Sequence, residues 1–135
     1  MRYFPLDIGL QIHCTEAELL SFDWTTATAD FSIRDGADDA TLRIVFQSDV
    51  IVRMIEEDAL STEDGSREAE GLVPYHFAYH VEGARFAEGL SDAWQMIHGP
   101  AKHFQFVTGG GCLDVLSASD PQFVVVPSAK ADDPS

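Results

Sequence analysis

The sequence predicts an α+β fold: a mostly antiparallel sheet of about eight strands with one long helix, residues 84–98, packed on it. Three observations carry this expectation. Apolar residues alternate with polar ones in at least six short runs, the period of a half-buried strand. One run alone, between Gly83 and Pro100, switches to a spacing of three to four residues. Gly, Asp and Pro clusters punctuate the runs at intervals suited to turns.

Residues 6–14 alternate, with Leu6, Ile8, Leu10 and Ile12 on one face, and read as a strand. Thr15-Glu16-Ala17-Glu18 has the form of a capping box. The competing reading, a strand over 18–24 with Leu20, Phe22 and Trp24 inward, is preferred because the aromatic residues fall on alternate positions. Residues 28–34 form the next strand, with Phe31 and Ile33 inward, and 35–39, beginning Asp-Gly, form a turn.

The centre of the chain is 41–57, TLRIVFQSDVIVRMIEE. Leu42, Ile44 and Phe46 alternate with polar positions, and the pattern resumes at Val50, Val52 and Met54. A linker as short as Gln47-Ser48-Asp49 implies that the two halves pair as a hairpin. Residues 58–74 lose all periodicity and read as a long solvated loop. A strand over 74–83 places Tyr75, Phe77, Tyr79 and Val81 on one face and His76, Ala78 and His80 on the other. The helix follows, with Phe86, Leu90, Ala93, Trp94 and Ile97 on its apolar stripe, ended by Gly99-Pro100. Strands 102–108 and 112–117 flank the turn Gly109-Gly110-Gly111, and 122–127 closes the fold. Residues 1–127 form one domain, and 128–135 read as a disordered polar tail.

The 135 residues carry 23 acids against 8 bases, a net charge of −15. Phosphate backbones and anionic lipid surfaces are poor partners for such a chain, so no nucleic acid and no membrane are expected. A basic or neutral protein is the expected partner. No apolar run approaches the roughly 18 residues of a membrane span. The first fourteen residues have no apolar core of an export signal, which implies a cytoplasmic address. Cys14 and Cys112 stand far apart, outside any CxxC, and read as reduced, inert thiols.

The C-terminal part resembles a pattern seen in small uncharacterised bacterial domains, that is, domains of unknown function. It comprises a helix, then His103-Phe104-Gln105-Phe106-Val107-Thr108, a turn, Leu113-Asp114-Val115-Leu116, and Pro121. Met54-Ile55-Glu56-Glu57 is similar to a Val-x-Asp-Glu position in such proteins. The resemblance spans residues 41–126. The resemblance implies an uncharacterised domain, hints at immunity by toxin neutralisation, and carries over no catalytic residues.

Two candidate sites emerge. The acidic cluster Glu56, Glu57, Asp58, Glu63, Asp64, Glu68 and Glu70 would steer a basic partner electrostatically. The alternative is a small-molecule pocket between helix and sheet lined by His76, His80 and His103. His76 and His80 lie about 13 Å apart on an extended strand, too far to share a metal. No metal, cofactor or catalytic residue is expected, since no nucleophile motif, P-loop or HExxH occurs. A third possibility is self-association through an edge strand, giving a homodimer.

Overall fold

A computed structural model describes residues 1–35, 38–47, 49–56 and 68–127, with Asp35 described in its backbone alone. Nine strands among the described residues form two antiparallel sheets. The five-stranded sheet has the order β1-β6-β7-β8-β5, from β1 (Arg2–Pro5), β6 (Ala78–Glu82), β7 (Lys102–Val107), β8 (Gly111–Ser117) and β5 (Ile51–Glu56). The four-stranded sheet has the order β2-β3-β4-β9, from β2 (Glu18–Asp23), β3 (Thr28–Asp35), β4 (Asp38–Val45) and β9 (Gln122–Pro127).

The core lies between the sheets. From the four-stranded sheet come Phe31, Ile33, Leu42 and Ile44, and from the five-stranded sheet Ala78, Phe104, Phe106, Leu113 and Val115, all buried. Aromatic rings stitch the layers: Phe31 meets Phe77 edge-on at 5.2 Å and Phe106 at 5.6 Å, and Phe46 meets Phe104 at 6.0 Å. A smaller cluster of Tyr3, Tyr79, Val81 and Ala84 forms on the opposite face of the five-stranded sheet.

The expected α+β class is therefore corrected to a two-sheet β fold. The long helix over 84–98 does not exist. Two short helices replace it, α1 (Arg85–Glu88) and α2 (Asp92–His98). Gly89 ends the first, and Ser91 starts the second by accepting a hydrogen bond from the Trp94 N–H on its Oγ at 3.1 Å. A side chain that competes for backbone donors in this way sets a helix start where periodicity alone shows continuity. The apolar stripe does not pack as a unit. Phe86 is half-buried, but Ile97 is 77% exposed and Met96 86% exposed.

The expected hairpin over 41–57 is also replaced. β4 pairs with β3 and β9, whereas β5 pairs with β8 in the other sheet. Between them the chain passes from one sheet to the other, and Phe46 and Val50, on either side of that passage, are both buried. Alternation reveals that a strand has one covered face; it does not name the strand beside it.

Smaller differences have local causes. Residues 6–14 run irregularly, with Ile8 and Ile12 buried, into a 3-10 turn at Cys14–Glu16. The strand over 18–24 is present as β2, but a register shift between Leu19 and Ser21 turns Leu20 outward, and Trp24 lies 70% exposed beyond its end. The strand over 74–83 shortens to β6, and Phe77 enters the inter-sheet core while Tyr79 and Val81 face the other way. Residues 128–135, the expected tail, lie outside the described residues. Among the described residues no helix is long and apolar enough to cross a membrane.

Candidate functional site

β7 and β8 are the central strands of their sheet, and nearly every side chain on them is buried. Their outward-facing residues must therefore be satisfied internally if polar. Pairing places Arg53 of β5 opposite Asp114 of β8, and Asp114 opposite Gln105 of β7. His103 stands two residues before Gln105, so all four share one face.

They form a closed polar cluster. Asp114 Oδ1 lies 2.7 Å from His103 Nε2 and accepts from Gln105 Nε2 at 2.9 Å. Its Oδ2 accepts from Arg53 Nη2 at 2.9 Å and Nε at 3.3 Å. Phe86 of α1 roofs the group: the Arg53 guanidinium carbon sits 4.4 Å from the ring centre, and the His103 ring 5.3 Å from it. Asp114 and His103 are almost wholly buried, and Arg53 reaches partly into solvent.

Burial works to raise the Asp114 pKa. The hydrogen bonds from His103 and Gln105, the His103 charge and Arg53 outweigh it, so the carboxyl lies below its ordinary value. Two buried atoms remain without a partner, His103 Nδ1 and Gln105 Oε1. A histidine beside a carboxylate has the polarity of a general base, yet this one lies closed beneath Phe86. Its visible work is to tie β5, β7 and β8 together through one anion.

The three candidate histidines do not share a surface. Val81 opposes His103 and Phe104 opposes His80, so His80 and His103 project from opposite faces. His80 lies against the rings of Phe4 and Phe104, each at 5.8 Å. His76 precedes β6, is buried, packs edge-on to Tyr79 at 5.7 Å, and leaves Nε2 without a partner. It borders an open cleft of about 310 Å³ formed with residues 6–11 and Tyr75. Among the described residues, no three metal-binding side chains come together.

Of the acidic cluster, Glu57, Asp58, Glu63 and Asp64 lie outside the described residues. Glu56 is exposed at the end of β5, beside a shallow cleft of about 240 Å³ bordered by Met54, Cys112 and Leu113. Glu68 is exposed. Glu70 runs beside β1, its amide donating to the Met1 carbonyl and its carbonyl accepting from the Tyr3 N–H. Its carboxylate stands 3.8 Å from Arg2.

His103 is among the expected pocket residues, whereas Asp114 and Arg53 are not. The signal in the sequence is a single charge inside each of two otherwise apolar runs, CLDVL at 112–116 and VRMI at 52–55. A charge buried on a central strand, as Asp114 is, requires a partner across the sheet, and Arg53 on the neighbouring edge strand supplies it. No known family model matches the chain, and no curated protein or solved structure matches it significantly.

Proposed function

We propose that this chain is a non-enzymatic, acidic protein-binding domain whose partner is a basic protein, with neutralisation of a basic toxin as its concrete form. This reading places it in the cytoplasm, where Cys14 and Cys112 stay reduced, and gives it no role on nucleic acid. One observation supports it above the others. Among the described residues, Arg2, Arg43, Arg53 and Lys102, half of the chain's eight bases, lie against its own acids, and the acids outnumber the bases by 23 to 8. Arg43 is held bidentately by Asp30 at 2.9 and 3.2 Å, Lys102 by Asp120 at 2.7 Å, and Arg53 by Asp114. With a net charge of −15, the field outside such a surface attracts cations and speeds their encounter.

The experiment is capture of a basic partner by the full chain at low salt, followed by kinetics of the isolated pair. The association rate should fall steeply with added salt, and Glu56→Lys with Glu68→Lys should lower it about tenfold. A toxic nuclease partner should lose activity on addition of equimolar chain. A partner that is acidic, or one indifferent to both salt and charge reversal, would overturn the reading.

A further inference from the structure

The turn from β2 into β3 holds an indole out in solvent. Trp24 is 70% exposed, yet the backbone that carries it is tied down. Asp23 Oδ1 accepts from the Thr25 N–H at 2.9 Å and from the Thr25 hydroxyl at 2.7 Å. The Thr28 hydroxyl donates to the Thr26 carbonyl at 3.2 Å. The Phe46 N–H donates to the Ala27 carbonyl at 2.9 Å, which binds the turn to the end of β4. Ala27 itself sits at φ 51, in the left-handed region that a Cβ disfavours. A backbone fixed in this way has little freedom left to lose when its side chain meets a ligand.

Trp24 shares a cleft of about 250 Å³ with Thr26, Gln47 and Asp49, backed by the buried Phe46 and Val50. No Lys, Arg or His is among the described residues that line it. The Asp49 side chain is 84% exposed, and His98 Nε2 stands 3.9 Å from its Oδ2, too far for a hydrogen bond. The cleft thus combines an aromatic ring, an open carboxylate, an amide and a hydroxyl.

We infer that this cleft receives an arginine side chain of a protein partner, which rests on the basic partner proposed above. Ring and carboxylate together select that guest. The face of an indole carries the negative end of the ring quadrupole and holds a cation better than the other side-chain rings do. Asp49 attracts the same charge, on a molecule whose net −15 repels anions. A neutral guest can stack on the indole but gains nothing from the charge of Asp49. Between the two side-chain cations, shape decides. A guanidinium is planar, so it can lie flat on a ring while its edge donates to both oxygens of a carboxylate, and a compact ammonium cannot do both. Its remaining N–H groups have the Gln47 amide oxygen and the Thr26 hydroxyl as acceptors. The volume falls below the roughly 300 Å³ at which drug-sized ligands are held, and suits one side chain. Because the cleft is open and Asp49 solvated, the contact is weak alone and serves as one anchor within a wider acidic contact.

Titration of the full chain with acetyl-arginine amide at low salt tests this, read from the indole N–H signals of Trp24 and Trp94 in nitrogen–proton NMR spectra. The Trp24 signal should move saturably, with a Kd on the order of 10 mM, and the Trp94 signal much less. Acetyl-lysine amide should bind about threefold more weakly, and neutral acetyl-glutamine amide should not move the Trp24 signal. Asp49→Asn should weaken arginine amide about threefold, and Trp24→Ala, followed at the Thr26 amide, by at least as much. Both positions are exposed, so both variants should keep the parent spectrum elsewhere. An unmoved Trp24 signal, equal binding of the lysine or glutamine amide, or full binding to either variant would overturn the inference. The probe requires no partner, so its failure leaves the capture experiment above untouched, and a failed capture leaves this titration to decide on its own.

Discussion

Asp114 shows how one buried charge sets its own terms. Three neighbouring side chains donate to it, and its charge is the reason they can remain buried. Asp114→Asn keeps the shape but removes the buried negative charge on which His103, Gln105 and Arg53 converge. It should lower the unfolding free energy by about 3 kcal/mol, measurable by urea titration. The pH dependence follows from the sign of the shift. A carboxyl whose folded pKa lies below its unfolded value stabilises the fold above the unfolded value, and that contribution is lost as pH falls through the folded pKa. Thermal melts should therefore drop steeply below about pH 4, and the Asn variant should show a shallower drop. His76 is the contrary case. Its Nε2 is buried without a partner, so His76→Leu removes an unsatisfied group and should leave stability unchanged or raise it by up to about 1 kcal/mol.

At the scale of elements, packing rather than propensity separates the strands from the helices. β7 and β8 are covered on both faces, while α2 buries no residue. Hydrogen exchange should find the α2 amides opening at a small fraction of the free energy needed for β7 and β8. The separation of β4 from β5 is testable with paired cysteines. Met54 lies opposite Leu113, so Met54→Cys with Leu113→Cys should form a disulfide, whereas Ile44→Cys with Val52→Cys should not. At Gly111, where β8 meets the end of β5, a Cβ would stand 2.6 Å from the Ile55 carbonyl oxygen. Gly111→Ala should therefore loosen that end of the pair. The triple-glycine turn was legible from composition; which of its three glycines the fold needs was not, because that depends on a strand fifty residues away.

For the whole molecule, two layers share one aromatic core and a net charge of −15 covers the outside. Self-repulsion at that charge opposes compactness. The unfolding midpoint should climb as salt is raised through the physiological range, where screening reaches about 8 Å. Refolding should be slow for the size, in milliseconds to seconds, because the β1-β6, β5-β8 and β4-β9 pairings join distant parts of the chain.

Local pattern alone determined much of this protein: strands expected at 28–34, 102–108, 112–117 and 122–127, which the fold holds to within a residue at each end, the inward faces of Phe31, Ile33, Leu42 and Ile44, the glycine turn, and the excess of acids. Each depends on a residue and its near neighbours, through alternation, turn chemistry or a sum of charges. Tertiary structure alone decided that β4 and β5 part into different sheets, that the apolar run at 84–98 breaks at Gly89 and Ser91, and that Asp114, His103 and Arg53 meet. Those outcomes turn on which surfaces compete for the same partner across the core. A hydrophobic face declares that it must be covered, and only the assembled molecule settles by what.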